Sequence, residues 1–114
     1  MMQAGKLNQR LTFYQPQQTK SRSGAPITEL KKAFRAPAEL LESQTSETSV
    51  NDTHLPHHTC RFRLRWRRIT HNSWFTWRGR AYRVSAVDDT DPKRQTVEVT
   101  AEANPSKPPP TILE

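Results

Sequence analysis

The sequence predicts a mostly β protein, a small barrel or sandwich of about five to six strands with a long internal loop and extended tails. Three observations carry that expectation. Apolar and charged residues alternate strictly from Cys60 to Arg67; Arg78-Gly79-Arg80 sits between two short runs rich in aromatic and β-branched residues; and short strand-like segments recur with little helical pattern between them. At 114 residues the chain has room for one core. Only 32% of residues are apolar and mean hydropathy is −0.92, so that core is compact and much of the chain is surface, loop or tail. The expected organisation is one domain over 1–103, with a long flexible loop at 44–58, and a Pro-rich C-terminal tail over 104–114.

Taken in order, Arg10 to Gln15 mixes β-branched and aromatic residues ahead of Pro16, which has no N–H for a central ladder, and reads as a short first strand. Gln17 to Thr28, with Ser21, Ser23, Gly24 and Pro26, has the chemistry of a polar connection. Ala33 to Glu42 is ambiguous between strand and helix, and Pro37 excludes a long helix. Ser43 to His58 has no sustained apolar period and reads as a long loop with a short helical turn inside it. Cys60-Arg61-Phe62-Arg63-Leu64-Arg65-Trp66-Arg67 is a half-buried strand, apolar on one face and arginine on the other. Trp74–Trp77 and Ala81–Val87 are paired by a turn at Gly79, Asp88 to Lys93 forms another turn, and Thr96 to Glu102 alternates again as a last strand. Three consecutive prolines, Pro108 to Pro110, favour an extended polyproline arm.

The formal charge of +7 and pI near 10.2 suit a nucleic acid, an anionic membrane surface or an acidic protein. One cysteine, Cys60, excludes an internal disulfide and a multi-thiolate zinc site, which favours a reducing compartment. No segment approaches the roughly twenty apolar residues of a membrane span, so a soluble cytoplasmic product is expected.

Few residues suggest chemistry. Arg61, Arg63, Arg65 and Arg67 project along one strand face at ~6.5 to 7 Å intervals. They suit a phosphate backbone or, more simply, an interface or solvated face. Trp66, Trp74, Phe75, Trp77 and Tyr82 could stack bases, but a core short of Leu and Ile needs them as filling. His54, His57, His58 and Cys60 are metal-ligand types without a ligand-spacing motif, so no metal or cofactor is expected. There is no phosphate loop or nucleophile elbow, and Asp88, Asp89 and Asp91 are simplest as solvated turn residues, so no catalytic residue is assigned. Two classes remain: a structural assembly subunit, and a small basic β-barrel that binds nucleic acid.

Several segments in order resemble the head-tail joining, or head-closure (stopper), proteins of siphophages and prophages. They are Gly5-Lys6-Leu7-Asn8-Gln9-Arg10-Leu11-Thr12, then Ala38-Glu39-Leu40, then Thr59 to Trp66 with Ile69-Thr70, and Trp77-Arg78-Gly79-Arg80-Ala81-Tyr82-Arg83-Val84. The resemblance implies a virion protein of the phage neck, made in the host cytoplasm, and not an enzyme. It implies a cyclic ring of this chain, a dodecamer or a hexamer, beneath the portal or adaptor protein. That ring retains packaged double-stranded DNA and offers a docking surface to a tail completion or terminator protein; no membrane is involved. By position, the loop expected to face the channel covers Ser43 to His58, with Ser46, Thr48, Val50, Asp52, His54 and His57 as gating candidates and Ser21 to Glu29 as a second contact loop. Arg61, Arg63, Arg65, Arg67 and Arg80 are candidates for intersubunit or DNA contact.

Overall fold

The computed structural model describes residues 7–113; Gly5 and Lys6 lie outside the described residues, as do the side chains of Thr48, Val50, Thr111 and Leu113. The chain is all-β, with β1 (Gln9–Lys20), β2 (Pro26–Val50), β3 (Thr53–Arg65), β4 (Trp74–Trp77), β5 (Arg80–Asp88), β6 (Thr96–Ala103) and β7 (Thr111–Leu113). The strand order is β1-β4-β5-β6-β3-β2-β7, and an additional β1–β2 pairing closes the first six strands on themselves. Neighbours within that closed sheet are antiparallel, whereas β7 adds in parallel to β2 at Glu29–Lys31.

Closure depends on β2. Its first half pairs with β1 from Pro26 to Ala38, and its second half pairs with β3 from Ala38 to Val50. Twenty-five residues of straight strand would run ~80 Å, yet the molecule is 50 Å in its longest dimension. The strand therefore bends. Register shifts leave Ala33 unpaired against β1 and Leu41 unpaired against β3, and such bulges turn a strand and increase its twist. Between them Ala36 and Ala38 are buried and Phe34 and Leu40 pack against the core, so the ambiguous segment Ala33–Glu42 is a strand.

The core gathers Leu11 and Phe13 of β1, Cys60, Phe62 and Leu64 of β3, Phe75 and Trp77 of β4, Tyr82 and Val84 of β5, and Val97, Val99 and Ala101 of β6. Its largest side chains are the aromatic residues Phe13, Phe62, Phe75, Trp77 and Tyr82. Phe62 meets Trp77 edge-on at 4.9 Å and Phe75 edge-on at 5.7 Å, and Phe75 stacks on Tyr82 at 5.5 Å between ring centroids. Each such contact adds ~0.5 to 1.5 kcal/mol beyond area burial. The Trp77 indole N–H donates to Gln9 Oε1 at 2.9 Å, satisfying its one polar atom.

Three segments differ from the sequence expectation. Ser43–His58 is not a loop: it is the outer half of the β2–β3 hairpin, turned by two residues. Asn51 and Asp52 both hold positive φ, 51° and 63°, the backbone of a tight primed turn. Apolar periodicity could not reveal this strand pair because neither face of it joins the core. Gln17–Thr28 is likewise mostly strand, with its turn confined to Ser21–Ala25 and Gly24 at φ 84°. The Pro-rich end, expected as an extended tail, finishes as β7 against β2, where Leu30 is fully buried although it lies outside the core cluster.

Candidate functional site

Two hairpins run on beyond the six-stranded closure. The β1–β2 hairpin continues past Tyr14, where β1 leaves β4. The β2–β3 arm continues past His58, where β3 leaves β6. In the arm, Ser46 lies opposite His57, Thr48 opposite Leu55, Ser49 opposite His54 and Val50 opposite Thr53, with Asp52 in the turn. Ser46, Asp52 and His54 are exposed and His57 is half-buried. The side chains of Thr48 and Val50 lie outside the described residues.

Cross-strand contacts hold the arm along its length. His54 Nδ1 lies 3.9 Å from Glu47 Oε2, Thr45 Oγ1 bonds His58 Nδ1 at 3.0 Å, and His57 Nε2 bonds Glu102 Oε2 of β6 at 3.1 Å. Strand alternation sends His54 and His58 to one face and His57 to the other. Among the described residues no group of His, Cys, Asp and Glu could hold a metal ion. His58 stays below the usual histidine range because partial burial, then the positive charges of Arg80 and His57, oppose its protonation. Cys60 is buried, and burial pushes its thiol up to about 12, far from a thiolate nucleophile.

The arginine row divides into two halves. Arg63 stands between Glu39 of β2 and Glu98 of β6 as direct cross-strand neighbours, with N···O distances of 3.4 Å and 4.0 Å. Arg61 faces Glu42 at 3.9 Å. The carboxylates that pair with this half of the row are in the same chain, on the flanking strands. The signal for them was available: Glu39, Glu42 and Glu98 sit in segments that alternate like the arginine strand. Arg65 is exposed at the end of β3, and the Arg67 guanidinium carbon stands 3.5 Å from the Phe34 ring centroid. Arg80, beside the β4–β5 turn, is exposed and donates to Tyr82 Oη at 3.4 Å. In that turn Arg78 and Gly79 both hold positive φ, 52° and 76°, in keeping with the tight hairpin expected there.

Two arginines that sequence patterning missed belong with Arg65 and Arg67. Arg10 and Arg35 lie diagonal to each other on the outer face of β1 and β2, since Arg10 pairs with Pro37 and Arg35 with Thr12. The acidic turn does local work instead. Asp91 accepts backbone N–H groups from Gln95, Lys93 and Thr96, and Asp88 accepts from Thr90, so both carboxyls lie below the usual carboxylate range. The aromatic residues Trp74, Phe75, Trp77 and Tyr82 are buried and leave no base-stacking platform there.

Comparison with known proteins gives a consistent picture. The sequence matches the family described as phage head completion protein over residues 2–104. Two solved structures share the fold. A chain of a native gene transfer agent virion particle superposes with a TM-score of 0.69 at 17% identity, covering 85% of this chain and 94% of that one. The protein SF1141 from Shigella flexneri 2a superposes with a TM-score of 0.60 at 18% identity, covering 93% and 100% respectively. A search of curated proteins found no match.

Proposed function

The chain belongs to the phage head completion protein family, which is structural and not enzymatic, and from that premise we propose that it is a head-closure subunit of the phage neck. In this reading copies of the chain form a cyclic ring beneath the portal or adaptor protein, and residues 1–103 are the working domain. The ring retains packaged DNA and presents the surface on which the tail docks. A ring requires two different patches per subunit that meet with a closing rotation. A structural relative in a gene transfer agent virion supports the particle setting by analogy.

The observation that carries the reading is the β2–β3 arm. It is polar and stands outside the core, and its turn closes on two residues, Asn51 and Asp52, held at positive φ. Such a hairpin adds little to the fold of one subunit, so its use lies in reaching something else. We assign Ser46, Asp52, His54 and His57, together with Thr48 and Val50, to the channel-facing element. Arg61 and Arg63 act at its root, where their ion pairs tie β2, β3 and β6 together. Arg80 remains a candidate for contact with a neighbouring subunit.

Shortening the arm tests this. Replacing residues 46–57 by an Asn-Gly turn keeps the closed sheet and removes the tip. Particles carrying this variant are expected to assemble necks but lose DNA, read as a fall in nuclease-protected DNA per particle. Full retention of DNA, or absence of the wild-type chain from the neck by electron microscopy, would overturn the proposal.

A further inference from the structure

We propose that Arg10, Arg35, Arg65 and Arg67 form a face that binds the phosphate backbone of double-stranded DNA, separate from Arg61 and Arg63, whose charges are neutralised within the chain. The choice of DNA rests on the neck reading above. The face itself follows from where β2 parts from β3.

At Ala38 β2 stops pairing with β3 and swings to β1. The divergence opens a groove of about 180 Å³ with Arg35, Arg65 and Arg67 on its walls. A second groove, of about 360 Å³, shares Arg35, Ala36 and Pro37 with the first and reaches Arg10. The two therefore adjoin across Arg35. Among the described residues no carboxylate lines either groove, and none of these four arginines has an ion pair. Like charges set close across strands destabilise a sheet unless a counter-anion relieves them. The same strand shows the contrast, because Arg61 and Arg63, its outward arginines nearer the arm, have glutamate partners.

Two features favour a polyanion over an acidic protein. The Phe34 ring holds the Arg67 guanidinium in place and Arg94 lies over Trp66 at 5.4 Å, so the cations cover the aromatic rings instead of leaving them as anchors. Among the described residues the one large hydrophobic side chain that is exposed is Ile27, on the β1–β2 hairpin. A protein interface is organised around a buried aromatic or aliphatic anchor, whereas sequence-independent DNA binding needs positive charge at phosphate reach.

The test is fluorescence anisotropy of the full chain with a short labelled random-sequence DNA duplex across a salt series. Four phosphate contacts predict a slope of log affinity against log salt of about −3 to −4, and roughly a hundredfold loss of affinity between about 50 and about 200 mM salt. Arg35→Gln with Arg65→Gln should make the slope shallower by about two. Arg61→Gln with Arg63→Gln should leave the slope as it is. All four positions are at the surface, and circular dichroism of both double variants checks the fold. Equal loss in the two pairs, no salt-dependent binding by the wild-type chain, or displacement of the DNA by polyglutamate at equal or lower charge concentration would each overturn the inference. A chain that fails here yet sits in the neck by electron microscopy ends the DNA face alone; a chain that binds as stated but is missing from particles ends the neck reading instead.

Discussion

Arg67 lies over the Phe34 ring, its guanidinium carbon 3.5 Å from the centroid, and so joins the segment after β3 to the first half of β2 where no ladder connects them. Phe34 in turn stacks on Phe13 at 4.7 Å. The arginine thus continues a stack that begins in the core. Replacing Arg67 by Gln should cost about 0.5 to 1 kcal/mol, the range for an exposed cation–π pair. A urea-denaturation cycle with Phe34→Leu checks it: the two substitutions should be less than additive.

Gly79 holds φ at 76° in the β4–β5 turn, and a Cβ built there meets no atom within 4 Å. The cost of Gly79→Ala is therefore backbone strain alone, about 1 kcal/mol, without a steric clash. Asn, which tolerates this conformation better, should cost less than Ala in thermal denaturation.

Asp91 gives the acid side of the stability profile. Its folded pKa is lowered, chiefly by the Gln95 N–H and then those of Lys93 and Thr96, so its contribution is complete above the unfolded carboxylate value and is lost as pH falls through the folded value. Asp88 acts with the same sign through Thr90. Urea midpoints should begin to slip below about pH 6.5, where the unfolded chain protonates His58 more readily than the folded one does, and fall further below about pH 4 as Asp91 and Asp88 protonate. In Asp91→Asn that acid fall should be smaller, with stability lower at neutral pH because one acceptor oxygen becomes an amide.

Cys60 should be silent toward thiol reagents at pH 8 while the chain is folded, and react fully in denaturant, because its thiol is held up at about 12. Cys60→Ser should cost about 1 to 3 kcal/mol, since a hydroxyl in that apolar setting lacks a partner. Cys60→Ala should cost less. Chemical denaturation compares the two.

The all-β class, the aromatic core and the Gly79 turn were legible because each rests on a local rule: alternation from Cys60 to Leu64, a glycine at a positive-φ turn, large rings where aliphatic residues are few. The two hairpin extensions were not. Ser46 to His57 and Gln15 to Lys31 pair outside the closed sheet, so they carry polar residues on both faces and mimic loop composition. Asn51-Asp52 was the readable sign, a residue pair that tolerates positive φ at the end of the Thr/Ser-rich run 43–50. The division of the arginine row was hidden for another reason. Whether Arg63 is neutralised depends on Glu39 and Glu98 sitting beside it, and register between strands distant in sequence is set by closure of the whole sheet.

The continuity of β2 has a mechanical corollary. Asp52, at the tip of one hairpin, connects back to the Ser21–Ala25 turn of the other through a single uninterrupted strand, laddered to β1 over its first half and to β3 over its second. A force applied at either tip is therefore carried along covalent backbone past the Ala33 and Leu41 bends, and reaches the opposite end as a lever's far arm does. Two partners gripping the two tips would feel each other's load without any rearrangement of the core.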